Sequence, residues 1–133
     1  MEKSTTKKKI AVFISGRGSN LKNLIKNSKL KKSKFKIYLV ISNKLTAQGL
    51  NYAKFNKIKS FAIKKKLKEF ENKSLSLIKK YKINYICLAG FMRILSSSFI
   101  KKAKIPIINI HPSLLPKFKG LNTHERAIKS KQK

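Results

Sequence analysis

Asn109-Ile110-His111-Pro112 carries the most chemistry in the chain. The apolar pair Ile107-Ile108 leads into it, so the segment reads as the end of a strand. Alternation along a strand puts Asn109 and His111 on one face and Ile110 on the other. A carboxamide and an imidazole aimed together suit a reaction that builds negative charge on a carbonyl oxygen. The amide can steady that oxygen, and the imidazole can donate or relay a proton. The plainer alternative is a structural histidine fixed at a strand end by Pro112.

Two glycine-marked segments offer binding rather than proton transfer. Gly16-Arg17-Gly18-Ser19-Asn20 joins an apolar run to a helical pattern. Glycines let backbone amides approach a ligand, and a helix start offers amides to an anion. Ser19 or Asn20 is a suitable helix cap. The segment resembles a phosphate cradle, but lacks the Lys-Ser/Thr of a P-loop and the third glycine of the dinucleotide fingerprint. An ordinary strand-to-helix turn is the competing reading. The second segment is Leu88-Ala89-Gly90-Phe91-Met92-Arg93-Ile94-Leu95. Gly90 allows a tight turn, and the apolar residues after it can wall a flat ring ligand. Taken alone, core packing explains them as well.

The elements that must position these groups follow from hydropathy. Short apolar runs at 10–14, 37–41, 85–89 and 107–110 read as buried strands, with a weaker one at 58–63. Leu21, Leu24, Ile25 and Ser28 share one helical face, and a second helix is expected over 46–56. Leu67, Phe70, Leu77, Ile78 and Tyr81 mark a third amphipathic helix. The alternation of strand and helix predicts an α/β fold, a parallel sheet with helices on both faces and right-handed crossovers. Ligands in such sheets sit beyond the carboxyl ends of the strands. All three segments singled out above lie at such ends. Residues 1–8 read as a flexible basic tail, and 9–133 as one domain.

Composition narrows the chemistry further. The 133 residues include four acidic ones, Glu2, Glu69, Glu71 and Glu125, and no aspartate. Aspartate-dependent triads and EF-hands are thereby excluded. One cysteine, Cys87, excludes an intrachain disulfide, and with two histidines it cannot close a zinc site, so no metal is expected. The lone thiol and the absence of a secretory signal point to the cytoplasm. Net charge is +30, from 34 basic residues of which only Arg17, Arg93 and Arg126 are arginine. Lys, Asn and Ile share A- and T-rich codons, so nucleotide bias accounts for much of this excess. A Lys-rich polyanion-binding module is the rival reading from another class, with nucleic-acid binding at most non-specific.

Taken together, the motifs are more specific than any one of them. Phe13-Ile-Ser-Gly-Arg-Gly-Ser-Asn-Leu21, Ile41-Ser-Asn43, the 88–95 segment and Asn109-Ile-His-Pro-Ser-Leu-Leu-Pro-Lys-Phe-Lys-Gly120 occur in this order. In this the chain resembles the folate-dependent formyltransferases. The Gly-Ser-Asn loop and Gly120-Leu-Asn-Thr-His-Glu-Arg-Ala127 are similar to the glycinamide ribonucleotide group of purine biosynthesis. Amino-sugar and methionyl-tRNA formyltransferases are the alternatives within the family. The resemblance implies a Rossmann-like sheet and formyl transfer from 10-formyltetrahydrofolate to the glycyl amine of 5'-phosphoribosylglycinamide. It assigns Gly18, Ser19 and Asn20 to the substrate phosphate. It assigns Met92, Arg93, Ile94 and Leu95, with Asn109, to the folate, the first four partly through backbone groups. Asn109 would steady the oxyanion and His111 would be the general acid. Members of this family continue well past the position of Lys133 and supply there a catalytic aspartate and the last strands. The chain is therefore expected to be an incomplete formyltransferase fold, lacking its carboxyl-terminal strands.

Overall fold

The protein's structure is a computed structural model that describes residues 7–110. His111 and the 112–127 motifs lie outside the described residues, as does most of the expected tail. Nine elements alternate strictly: β1 (Lys8–Ile14), α1 (Ser19–Ser28), β2 (Phe35–Ser42), α2 (Gly49–Phe55), β3 (Lys59–Ala62), α3 (Leu67–Lys80), β4 (Tyr85–Leu88), α4 (Ser97–Ala103) and β5 (Ile107–Asn109). All strand pairs are parallel, in the order β3-β2-β1-β4-β5.

Strand side chains alternate between two cores. Ile10, Val12 and Ile14 of β1 pack with Leu21, Leu24 and Ile25 of α1 and Leu50 and Ala53 of α2. Ala11 and Phe13 face the other way, onto Phe70 and Ile78 of α3 and Phe99 of α4. Helices therefore cover both sheet faces, which is why the strands read as unbroken apolar runs. Burying side chains of this size contributes about 1.5–3 kcal/mol each. The expected face of α1, Leu21, Leu24, Ile25 and Ser28, is buried as a set.

The structure departs most from the hydropathy reading at three places. β1 begins at Lys8, inside the expected tail, because its register with Phe35 continues the ladder whatever the side chain. α2 begins at Gly49, three residues later than expected. The Ser42 hydroxyl accepts from Lys44 N at 2.9 Å and donates to Lys44 O at 2.8 Å, a local turn that competes with helix. α3 buries Glu71, Ser74 and Leu75, while Leu67, Leu77 and Tyr81 are half-buried. Glu71 is buried there because Ser96, at the N-cap of α4, donates to both of its carboxylate oxygens.

Candidate active site

The chain winds from β1 outward to β3, then crosses back through α3 to β4 on the other side of β1. Crossovers leave β1 on one sheet face and β4 on the other, so a crevice opens between their carboxyl ends. Residues 15–20 and 89–96 bound it, and Asn109 stands one strand further, in register with Leu88.

Ser15 ties the two sides together. It is 2% exposed; its hydroxyl donates to Asn43 Oδ1 at 2.6 Å and accepts from Met92 N at 2.8 Å. Asn43 N in turn reaches Ile14 O at 3.4 Å. Three strand ends are thus joined through one hydroxyl that uses both its donor and an acceptor site. Neither Ser15 nor Asn43 was singled out from sequence as a site residue. Their signal was a Ser immediately after β1 and a Ser-Asn after β2, at ends that pair side by side.

The glycine loop is built differently from the expectation. Gly18 is the N-cap of α1, with φ 82°, and no side chain caps the helix, so neither Ser19 nor Asn20 serves that role. A Cβ on Gly18 would stand 2.5 Å from Gly49 Cα, and one on Gly49 would stand 2.5 Å from Ile14 Cδ1. Gly49 N donates to Gly16 O at 3.2 Å. The starts of α1 and α2 therefore touch backbone to backbone, and this contact requires glycine at 18. Gly16 has open space around it. Ser19 is exposed, and Gly18 and Asn20 are half-buried.

The 90–96 segment alternates in and out. Gly90, with φ 71°, makes the turn. Phe91 points inward, stacked on Phe70 at 5.4 Å and edge-on to Phe13 at 5.5 Å. The Arg93 guanidinium also lies over Phe70, at 5.9 Å, with Nη1 buried and without a hydrogen-bond partner among the described residues. Met92 and Ile94 point out, 74% and 89% exposed. Leu95 packs on the α3–α4 core. The far end is fastened by Glu71, only 7% exposed, whose two carboxylate oxygens accept from Ser96 N and Ser96 Oγ, both at 2.7 Å. Ser96 caps α4 by accepting from Phe99 N at 3.1 Å. The segment is pinned by Ser15 at one end and Glu71 at the other, and displays two apolar side chains between the pins. Because Met92 N is bound to Ser15, the carbonyl is the backbone group Met92 retains for a ligand.

Asn109 is half-buried at the end of β5, and its side chain has no hydrogen-bond partner among the described residues. Ile110 packs in the α1–α2 core, as the alternation requires. Cys87 lies fully buried in β4, and burial pushes its thiol from 9.0 up to about 12. It is a packing residue and not a nucleophile.

A parallel sheet of this order, with loops meeting at its switch point, defines a Rossmann-like α/β fold. Comparison with known proteins makes it specific. The formyl transferase family pattern matches residues 8–133, and the chain belongs to that family. It is 44% identical over 128 residues to the human trifunctional purine biosynthetic protein adenosine-3, covering 93% of this chain and 13% of that protein. It is 41% identical over 127 residues to phosphoribosylglycinamide formyltransferase of Haemophilus influenzae, covering 92% and 60%. The crystal structure of phosphoribosylglycinamide formyltransferase from Brucella melitensis superposes with a TM-score of 0.76 at 38% identity, over 95% of this chain and 68% of that one. The chain thus spans about three fifths of the length of the Haemophilus relative. Among the described residues, no helix is long and apolar enough to cross a membrane.

Proposed function

We propose that the chain serves phosphoribosylglycinamide formyl transfer in purine biosynthesis, with 10-formyltetrahydrofolate as the one-carbon donor. The observation that carries this reading is the Ser15 junction. It holds the glycine loop and the outward-facing Met92–Ile94 wall on opposite sides of one crevice, with Asn109 beside it. Names and identities of the relatives support the same reaction.

The residues fit both ligands. Met92 and Ile94 offer an apolar surface to a flat ring, and the Met92 carbonyl and the 93–95 backbone offer polar groups to its edge. The inward turn of Arg93 is consistent with contact through its backbone. Gly18, Ser19 and Asn20 open α1 without a side-chain cap, which leaves that helix start to receive a phosphate. When bound, the folate supplies the formyl group. Asn109 donates its amide N–H to the oxygen that gains negative charge, and His111 holds the proton that the transfer moves.

These 133 residues contain no aspartate to fix the His111 ring. Their turnover should therefore fall short of the Haemophilus enzyme by ~10²–10⁴. Binding is the decisive measurement. In calorimetry, phosphoribosylglycinamide and a non-transferring folate analogue should each bind the chain. Ile94→Asp should abolish the folate heat and keep the nucleotide heat. Loss of neither, or binding of neither ligand by folded protein, overturns the assignment.

A further inference from the structure

The lysines look scattered along the sequence, but the fold gathers many of them. All strands run one way and all helices return, so strand starts and helix ends share the face opposite the crevice. The turns around 29–36, 57–59, 79–82 and 101–104 lie there, each rich in lysine. Helix-ending lysines have a local reason, since cations oppose the negative end of the helix dipole.

One cluster goes beyond that reason: Lys80 lies in the last turn of α3 and Lys9 donates to Tyr81 O at its C-cap, at 3.1 Å, but Lys36 and Lys59 join them from β2 and β3. Tyr38 of β2 and Tyr81 at the end of α3 pack with ring centroids 5.7 Å apart. Lys9 and Lys36 place their ammonium groups 4.5 and 5.3 Å from the Tyr38 centroid. Lys59 stands 5.6 Å from Tyr38 and 5.5 Å from Tyr81, and Lys80 5.3 Å from Tyr81. Three strands and a helix end thus bring four ammonium groups onto two rings. Among the described residues no carboxylate lies against them: Glu69 and Glu71 sit in the first half of α3 near the crevice, Glu71 held by Ser96. Four like charges held together by aromatic faces attract polyanions more strongly than the same charges dispersed.

We infer that this tyrosine-lysine raft is a docking surface for single-stranded nucleic acid, bound without sequence preference. Lysine ammoniums are point charges suited to phosphates, and the exposed part of the two half-buried tyrosine rings suits bases. Arginine, the usual base reader, is absent from this face among the described residues; Arg17 and Arg93 border the crevice. A lipid surface fits less well. The exposed apolar residues at this end, Leu30 and Phe55, belong to the α1–α2 side of the sheet, whereas the raft lies on the α3 side.

The test is fluorescence anisotropy with a labelled uridine oligonucleotide over a salt series. Lys36, Lys59 and Lys80 are changed together to Gln and compared with Lys64, Lys68 and Lys73 changed together to Gln. Both triples remove the same charge, and thermal melts confirm that both fold. Each phosphate contact on a single strand contributes about −0.7 to the slope of log affinity against log salt. The raft triple should flatten the slope by about 2 and weaken low-salt binding at least ~10-fold, with a far smaller change in the control. Acetylation footprinting of the unaltered chain gives a second readout, independent of variant folding: Lys36, Lys59 and Lys80 should be protected by the oligonucleotide, and Lys64, Lys68 and Lys73 should not. Equal losses in both triples, uniform protection, or preference for phosphatidylserine vesicles over the oligonucleotide would each overturn the proposal.

Discussion

Glycine at 18 is needed for two separable reasons, a left-handed backbone and the backbone of Gly49 behind it. The left-handed conformation alone costs an alanine roughly 1–2 kcal/mol, and the 2.5 Å approach to Gly49 Cα adds to it. Gly18→Ala should therefore lower the unfolding free energy markedly in urea titration, whereas Gly16→Ala, with open space around it, should be nearly neutral. Equal effects would refute the backbone contact. Ser15→Ala leaves Met92 N and Asn43 without their partner, at a cost of about 1–3 kcal/mol. Faster amide exchange at Met92 in that variant is the specific sign that the junction, and not general packing, has been lost. Cys87 offers a pH test. Burial pushes its thiol from 9.0 up to about 12, so the native state keeps a proton that the unfolded state loses as pH rises. The stability this supports is present below about pH 9 and is lost between there and about pH 12. Denaturation curves on either side of pH 9 should show a decline that Cys87→Val lacks, and the native thiol should resist disulfide reagents.

At the scale of elements, the helix ends carry an unusual choice. α2 and α3 close with the same pattern: Ile58 N reaches back to Ala53 O at 2.8 Å, and Ile83 N to Ile78 O at 3.0 Å. Such closures place a left-handed residue next to the last turn, where glycine is preferred. Here Lys57 and Lys82 occupy it, at φ 59° and 55°, and Lys104 ends α4 at φ 56°. Lysine displaces the locally favoured glycine at all three ends, as expected where composition is pushed by nucleotide bias. Lys82→Gly should raise stability by about 0.5–1 kcal/mol, since glycine adopts this conformation without the Cβ conflict. An unchanged or lowered melting temperature would contradict that. Glu71→Ala belongs to the same scale. It strips Ser96 N and Ser96 Oγ of their acceptor and should loosen the start of α4 and the 90–96 wall together, read by exchange at Ser96 and by folate affinity.

For the whole molecule, charge is the dominant long-range term. At +30 the folded chain repels itself, and mobile ions screen that repulsion over about 8–10 Å at ordinary ionic strength. The melting temperature should rise with sodium chloride well before general salting-out effects set in. A flat response would mean that local pairings, such as the lysines over Tyr38, already offset the repulsion.

The strand-helix alternation, both cores and the location of the candidate site at strand ends were legible in the sequence. Hydropathy has a short period, and an apolar run between polar turns admits few alternatives. The buried set on α1 was readable for the same reason. Residue type and spacing suggested a phosphate cradle at 16–20, a ring wall at 88–95 and a proton carrier at 109–111, and motif resemblance supplied the particular ligands for residues such as Ser19, Ile94 and His111. The tertiary structure alone decided which strand ends meet. Ser15, Asn43 and Met92 are 28 to 77 residues apart and become one hydrogen-bonded junction only when β2 and β4 flank β1. It likewise set the glycine contact between 18 and 49, and it brought many of the lysines dispersed along the chain to one face. Pairwise contacts across a parallel sheet depend on crossover and strand order, and a local pattern carries no record of either.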